Sequence, residues 1–377
     1  MKILSKNNKK GFLDLNNIDK LNCDWNMIIG ERSNGKTYGV LSKILDDYIK
    51  TDRPSVLIRR KEETIRPANI AKLFESHEKN GYLKKLGCDA VVYSRRAFYC
   101  AYEEQEGKFK KADKPFMYCT SINTSETTKG TFPTVNTKNI VFDEFLTRES
   151  YLPNEYTRLM NLISTVKREV TDCKIWMLAN TVSWSSPYFR EFGLNNINKQ
   201  EKGTINIYDY TDGENMTSLA VEYCTSSTNK NKKESDRYFA FGSPQLRMIK
   251  NGSWEVANYN HMDSENYKNS MLISRNYYMI NDLDIVCLEL RKSPILGRFI
   301  FVRPQTHPID IDRAVVIYTT NTIDTRKHHT VLTKSKVDNL IIGIYNRDRF
   351  YYADNTCGET VRNVLQTMNI RFKELHT

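Results

Sequence analysis

The sequence lacks a long apolar run and any closely spaced pair of cysteines. No apolar stretch reaches the roughly 18 residues that a membrane-spanning helix needs. The basic start, Met1 to Lys6, is not followed by the apolar segment of a secretion signal. The eight cysteines are scattered without a C-x-x-C pair, which argues against a disulfide frame or a zinc site. We therefore expect a protein of the cytosol with reduced thiols and no membrane contact.

Acidic residues are in the minority. The chain holds 56 Lys and Arg against 45 Asp and Glu, a formal net charge of +11. From Glu255 to the end the counts are 16 and 14, so most of the excess lies in the first 254 residues. A basic excess of this kind suggests a polyanionic partner, most often nucleic acid.

Residues 30–37 read G-E-R-S-N-G-K-T and match the phosphate-binding pattern G-x-x-x-x-G-K-[ST]. An apolar strand before the motif and a helical apolar pattern after it supply the expected context, whereas an ordinary glycine-rich turn would not need them. The pattern predicts ATP and Mg²⁺ as ligands, with the Lys36 ammonium on the β- and γ-phosphates and the Thr37 hydroxyl on the metal ion. The predicted nucleotide-binding residues are Gly30, Glu31, Arg32, Ser33, Asn34, Gly35, Lys36, Thr37 and Tyr38.

A second motif follows about a hundred residues later, where the apolar segment Ile140 to Phe142 ends in two acids. Asp143 is predicted to hold Mg²⁺ through water, and Glu144 to orient and polarise the attacking water. The alternative is a solvated strand end. A carboxylate in the position of Glu144 favours hydrolysis over nucleotide binding alone.

Hydrolysis also needs positive charge on the γ-phosphate, which a neighbouring subunit often provides. Arg168 and Lys129 are the candidates for this role, each with a solvated surface charge as the alternative. Arg32 could reach the phosphates within its own subunit, or pair with a loop acid. Asn180 ends the strand after the acid pair and could sense the γ-phosphate or hold Glu144, or simply cap a turn.

Apolar strand segments alternate with helical patterns along the first half, which predicts a mostly parallel sheet with helices on both faces. Residues 225–236 contain no apolar side chain and are the best candidate for a linker. The pattern also predicts several local structures: a hairpin around Asp212-Gly213, a helix over 69–86, an exposed turn or loop over 103–114 and a strand over 340–345.

In order and spacing, the segments G-E-R-S-N-G-K-T, S-V-L-I-R-R-K, I-V-F-D-E-F and W-M-L-A-N-T resemble the DNA-packaging ATPases of small tailed phages. These encapsidation proteins are related to the large terminase subunits and the FtsK/HerA translocases. The resemblance covers about the first 225 residues. It implies an α/β additional-strand P-loop ATPase domain (1–224), a linker (225–252) and a C-terminal α/β RNase H-like domain (253–377).

The resemblance further implies a homomeric ring, commonly a pentamer, that drives double-stranded DNA into a procapsid. The protein is then expected in the host cytoplasm and transiently at the portal vertex of the procapsid. Some members of the family use a structural RNA there, and nothing in these residues shows or excludes one. A motor of this kind contacts phosphates and not bases. Lys108, Lys110 and Lys111 are the candidates for that contact, with a solvated hairpin tip as an equal alternative.

The C-terminal acids Asp284, Glu289, Asp354 and Glu359 form no tight acidic motif, so we expect no DNA cleavage by this domain. Two other functions are compatible with the motifs. The first is another ring-forming translocase or helicase. The second is a P-loop small-molecule kinase, which the presence of Glu144 and the extra strands disfavour. ATPase stimulation by DNA together with oligomerisation would separate the motor from the kinase.

Overall fold

The computed structural model describes residues 3–105, 107–124, 136–147, 151–152, 154–168, 170–182, 186–194, 197–228, 259–280, 284–309, 315–319, 326–332 and 339–367. The described residues divide into two compact units, the first made of 3–147, 154–182 and 197–228, the second of 151–152, 186–194 and 259–367. Most of the predicted linker lies outside the described residues, and the predicted domain boundaries stay predictions. Among these residues, no helix is long and apolar enough to cross a membrane.

The first unit is built on one large sheet. Its strands are β1 Ile3–Leu4, β2 Trp25–Gly30, β3 Ser55–Arg59, β4 Ala90–Ser94, β5 Ala97–Gln105, β6 Lys108–Lys111, β7 Met117–Ser121, β8 Asn139–Asp143, β9 Lys174–Asn180, β10 Thr204–Asp212 and β11 Asn215–Tyr223. Its helices are α1 Asn16–Asp19, α2 Lys36–Thr51, α3 Pro67–Ile70, α4 Glu75–Lys79 and α5 Glu155–Val166. Short 3-10 turns cover Glu62–Ile65, Tyr82–Leu86, Ile122–Thr124 and Ile197–Lys199.

The strand order is β1-β10-β11-β2-β9-β8-β3-β7-β5-β4, with β6 paired to β5. The six strands from β11 to β7 run parallel, and the antiparallel pairs lie towards the two edges. The chain is therefore a mixed α/β protein with a mostly parallel sheet, as the sequence predicts. β9 lies between β2 and β8, so one additional strand separates the phosphate-loop strand from the acid-pair strand.

Helix α2 covers the centre of this sheet because one of its faces is apolar. Val40, Leu41, Ile44 and Leu45 recur at helical spacing and are all buried in the main core. A polar connection fixes the same helix to the sheet. The Asn139 amide donates to Asp47 of α2 at 2.9 Å and accepts from the Trp176 indole at 3.1 Å. These buried bonds join α2, β8 and β9.

Of three local predictions, one is wrong, one holds in part and one is confirmed. The predicted helix over 69–86 is broken into α3, α4 and a 3-10 turn, and Gly81 ends α4 with a left-handed φ of 66°. The predicted turn or loop over 103–114 contains a turn at Gly107, which has a φ of 74°, but β5 extends to Gln105 and β6 follows, so most of the segment is a hairpin. The predicted hairpin around Asp212-Gly213 is confirmed by the pairing of β10 with β11.

His77 gives the first unit a pH-dependent stability. Its ring is buried, stacks on Tyr38 at 4.1 Å and has Nε2 3.1 Å from the Ser42 hydroxyl. Burial lowers the pKa of His77 from 6.5 to about 4. Above pH 6.5 the ring is neutral in the folded and unfolded states. As the pH falls below 6.5, His77 becomes protonated in the unfolded chain, whereas in the folded protein it stays neutral down to about pH 4. The free energy of unfolding therefore decreases over this pH range.

We expect urea unfolding to show this loss directly. Between pH 7.5 and pH 5 the His77 contribution falls by about 2 kcal/mol. His77→Gln removes that part of the pH dependence, although it also lowers stability at pH 7.5. Equal losses of unfolding free energy in the wild type and the variant over this pH range would contradict the assignment.

The second unit has its own sheet and core. Its strands are β12 Met271–Ile280, β13 Asp284–Ser293, β14 Gly297–Pro304, β15 Ile317–Thr319, β16 His329–Val331 and β17 Phe350–Tyr352, in the order β16-β15-β12-β13-β14-β17. Its helices are α6 Pro187–Glu191, α7 Ser264–Lys268, α8 Asn339–Tyr345 and α9 Asn355–Thr367. Strands β12, β13 and β14 form an antiparallel meander, and β15 and β16 add in parallel beside β12. The RNase H-like assignment of this unit stays a prediction.

The predicted strand over 340–345 is wrong, because this segment is helix α8. Ile341 and Ile344 are its buried residues and are three positions apart, the spacing of one helix face. A short apolar run does not distinguish a buried strand from a buried helix segment by itself, and packing against the sheet decided the outcome here.

Candidate active site

The two sequence motifs lie at the same edge of the first sheet. Because β2, β9, β8 and β3 are neighbours and parallel, their carboxyl ends meet there. Gly30 pairs with Asn180, and Asp143 pairs with Leu178, so the strand ends are in close register. They open into a cleft of about 380 Å³, lined by residues 32–38, Arg59, Asp143, Glu144, Ala179 and Asn180.

The phosphate loop turns sharply into α2. Gly35 has a φ of 90°, and a Cβ atom there would lie 2.9 Å from the Cβ of Phe12, so both conformation and space demand glycine. Lys36 begins the helix and is only 7% exposed. Its ammonium donates to the Gly30 carbonyl at 3.2 Å, the Glu31 carbonyl at 2.7 Å and Asn34 Oδ1 at 3.2 Å. These hydrogen bonds therefore stabilise both the loop conformation and the position of the Lys36 side chain beside the cleft.

The two acids at the end of β8 have different environments. Asp143 is 6% exposed, and the Glu144 carboxylate is 64% exposed. Arg59, at the end of the neighbouring strand β3, donates to Asp143 at 2.9 Å and to Glu144 at 3.0 Å. Burial raises the pKa of Asp143, while the Arg59 guanidinium opposes that rise. One acid is thus fixed in the wall of the cleft and the other is free to meet solvent.

Arg59 was missed as a site residue, although the motif S-V-L-I-R-R-K contains it. An arginine after an apolar strand is an ordinary pattern. Its proximity to the acid pair follows only from the pairing of β3 with β8, and that pairing joins segments more than eighty residues apart. The sequence alone does not specify it.

Asn180 accepts a hydrogen bond from the Lys36 ammonium at 3.1 Å through its Oδ1. The asparagine therefore contacts the phosphate-loop lysine, and its predicted roles towards the γ-phosphate or Glu144 stay predictions. Arg32 is exposed and lines the cleft. Arg168 is exposed and follows α5, which runs from the cleft edge back towards the start of β9. Lys129 lies outside the described residues.

Two predicted nucleotide-binding residues have further contacts. Glu31 does not line the cleft, and its buried carboxylate accepts from the Ser227 backbone N–H. Tyr38 lines the cleft and also a neighbouring groove of about 640 Å³. The groove shares Ser33, Gly35 and Tyr38 with the cleft and extends between the segment that contains Phe12 and the face of α2, as far as Lys50. The two cavities are thus neighbours along the phosphate loop.

The lysines predicted to contact DNA lie on the β5–β6 hairpin. Lys108 is exposed, Lys110 pairs with Glu104 at 3.1 Å, and the Lys111 ammonium lies 3.9 Å from the centre of the Tyr99 ring. The hairpin therefore carries three cations, one of them paired with a carboxylate.

Two of the four candidate nuclease acids of the second unit, Glu289 and Asp354, have structural contacts. Glu289 is buried and accepts hydrogen bonds from Arg275, Arg291 and Arg303. Burial raises the pKa of Glu289, but the arginine hydrogen bonds outweigh burial and leave it lowered. Asp354 accepts from the Cys357 N–H at the start of α9, and Glu359 is buried on that helix. Among the described residues, no group of three or more His, Cys, Asp or Glu could hold a metal ion.

Comparison with known proteins adds independent information on this chain. The model of the podovirus DNA encapsidation protein (Gp16) family matches residues 8–235. The DNA packaging proteins of Bacillus phages phi29 and PZA are each 32% identical over 193 residues, which are 49% of this chain and 50% of theirs. The matched part spans about half the length of these curated relatives.

Two solved structures share the fold along nearly the whole chain. The Phi-28 gp11 DNA packaging motor covers 97% of this chain and 100% of its own, with a TM-score of 0.55 and 15% identity. The bacteriophage Phi-29 viral genome packaging motor assembly covers 95% of this chain and 99% of its own, with a TM-score of 0.53 and 18% identity. At these identities the likeness is one of fold.

Proposed function

Because the chain belongs to the podovirus DNA encapsidation protein (Gp16) family, we propose that it is the ATP-hydrolysing subunit of a viral DNA-packaging motor. It would act in a homomeric ring, commonly a pentamer, that moves double-stranded DNA into a procapsid. One observation carries the enzymatic part: Lys36, Thr37, Asp143 and Glu144 face a single cleft. These are the residues that bind a triphosphate and activate water in P-loop ATPases.

Each residue has a task that follows from its position. The Lys36 ammonium would exchange its loop carbonyls for phosphate oxygens. Mg²⁺ fits the donors present, the Thr37 hydroxyl and the Asp143 carboxylate, because the ion prefers oxygen ligands. When bound, it neutralises charge on the β- and γ-phosphates. Glu144, the exposed carboxylate, polarises the attacking water, and Arg59 sets the direction in which that carboxylate points.

The groove beside the cleft suits the rest of the nucleotide. A triphosphate on the loop places its ribose and base beyond Tyr38, where the groove between Phe12 and α2 begins. Aromatic rings and polar side chains line it, a combination typical of nucleotide sites. We infer that the base of ATP lies in this groove.

Charge from a neighbouring subunit would complete the site. Arg168 is exposed and lies away from the cleft of its own subunit, which suits a residue acting across a ring interface. Lys129 is the second candidate. The portal would be a partner at the procapsid vertex in the host cytoplasm. The second unit is proposed to lack nuclease activity, because Glu289 is engaged by arginines and Asp354 by a helix start.

The motor differs from a small-molecule kinase in its response to DNA. We expect double-stranded DNA to stimulate ATP hydrolysis, and the triple variant Lys108→Ala, Lys110→Ala, Lys111→Ala to lower the DNA affinity at least tenfold. The reason is the loss of three phosphate contacts. The same loss should lower the slope of the logarithm of the binding constant against the logarithm of the salt concentration by about one per lysine. Fluorescence anisotropy with a duplex at several salt concentrations measures both effects.

The chain offers a closely matched control for this experiment. Lys79 pairs with Glu75, Lys85 lies 4.3 Å from the Tyr82 ring centre, and Lys84 is exposed, so they reproduce the surroundings of Lys110, Lys111 and Lys108. The alanine triple at these positions should retain DNA affinity. Equal losses in both triples would mean that net charge, and not the hairpin, governs binding. A wild type with neither stimulation by DNA nor oligomerisation would favour the kinase alternative.

A further inference from the structure

Glu144 has a backbone conformation that glutamate seldom adopts. Its φ is 62°, in the left-handed region where a side chain crowds the backbone. This conformation ends β8 and directs the exposed carboxylate into the cleft. A residue persists in such a conformation only when its surroundings hold it there, so the contacts to its backbone are informative.

Arg60 makes those contacts. Its guanidinium donates to the Glu144 carbonyl at 3.0 Å and to the Phe145 carbonyl at 2.7 Å. Its Nε lies 2.9 Å from the Glu155 carboxylate, at the first residue of α5. Arg60 is 9% exposed and the Glu155 side chain is fully buried. A single planar group therefore connects the strand β3, the two residues after β8 and the start of α5.

Arg59 and Arg60 act on opposite sides of the same turn. Arg59 is the last residue of β3, and Arg60 follows it. Arg59 lines the cleft and contacts the two carboxylates, whereas Arg60 does not line the cleft. Arg60 contacts Glu144 through the backbone carbonyl, on the side away from the cleft.

We propose that Arg60, held by Glu155, is a positioning residue for ATP hydrolysis, because it fixes the backbone conformation that aims Glu144 into the cleft. This inference rests on the proposed function, in which Glu144 polarises the attacking water. The role requires arginine. Its rigid fork serves two carbonyls and a carboxylate together, which the single ammonium of lysine does not.

The test separates positioning from structural support. In Arg60→Met with Glu155→Leu, an apolar pair of similar volume replaces the buried ion pair, and such replacements commonly preserve stability. We expect a melting temperature within a few degrees of wild type, a KM for ATP within twofold and a kcat at least tenfold lower. If Arg60 and Glu155 have only a structural role, the folded double variant should keep the kcat of wild type. That result would overturn the proposal.

Arg53→Met is the matched control. Arg53 also pairs with a carboxylate, Asp172, and donates to two backbone carbonyls, those of Asn136 and Thr137, but at the opposite edge of the sheet. We expect its kcat to stay within twofold of wild type. A tenfold loss of kcat in Arg53→Met would show that any arginine bonded to a carboxylate and two backbone carbonyls supports kcat through general rigidity. That result would also overturn the proposal.

Arg60→Lys covers the case in which the double variant does not fold. It keeps the charge beside Glu155 but not the two carbonyl bonds, so we expect retained ATP binding with kcat again at least tenfold lower. A folded Arg60→Lys protein with wild-type kcat would refute the positioning role. If the wild type itself hydrolyses no more ATP than a Glu144→Gln protein, the proposed function fails, and that failure is recognisable before any Arg60 variant is measured.

Discussion

Glu144→Gln should abolish steady-state ATP hydrolysis while leaving ATP binding intact. A general base contributes about 10²- to 10⁴-fold to such a reaction, and the amide has no basic oxygen of comparable strength. The glutamine keeps an oxygen for Arg59, so the hydrogen bond of 3.0 Å observed for the carboxylate can persist. We therefore expect a kcat at least a hundredfold lower and an unchanged dissociation constant for ATP, measured by phosphate release and by calorimetry.

Glu75→Gln is a suitable control for this change. Glu75 is also exposed and also pairs with a cation, Lys79, but it lies on α4 and lines no wall of the cleft. Its kcat should equal that of wild type. Residual activity of Glu144→Gln above a tenth of wild type would assign the role of base to another group.

Mixtures of variants extend this result to the ring. Glu144→Gln subunits retain Arg168 and Lys129, whereas Arg168→Ala or Lys129→Ala subunits retain Glu144. If the cation acts across the interface, mixed rings contain some complete sites, and partial activity should appear that neither variant has alone. Absence of recovery at every mixing ratio would argue against a site shared between subunits.

The second large effect concerns Lys36→Met. The ammonium carries the main positive charge of the phosphate loop, and it is already close to the cleft through its contact with Asn180 at 3.1 Å. Its removal should weaken ATP binding at least a hundredfold, since charge-assisted bonds to phosphate are among the strongest that side chains make. Methionine retains much of the apolar stem and limits the loss of packing.

Nucleotide-dependent melting distinguishes this loss of binding from a loss of folding. A ligand that binds only the folded state raises its melting temperature by mass action. The wild type should therefore gain stability with Mg-ATP, and Lys36→Met should gain none at the same concentration. Lys138→Met is the control, because Lys138 pairs with Asp172 at the opposite edge of the sheet and neither residue lines the cleft or the groove. A Lys36→Met protein that still responds to Mg-ATP would disprove the assigned role.

The prediction of the phosphate loop and the acid pair was possible because each is a local pattern. A glycine with a φ of 90° and a lysine one residue later are adjacent in the chain, so their relation does not depend on the rest of the fold. The apolar strand before Asp143 is equally local. Where local patterns are ambiguous, prediction failed: helix α8 was predicted as a strand, and the segment 69–86 as one continuous helix.

By itself, then, the sequence determined two local motifs, residues 30–37 and the acids at 143 and 144, and these predict a nucleoside triphosphate as the ligand. Only the tertiary structure decided which cations meet those acids. Arg59 reaches both carboxylates, and Arg60 holds the backbone behind them, because β3 pairs with β8. Pairing of distant strands depends on how the whole sheet buries its apolar faces, and no short segment of the chain encodes it.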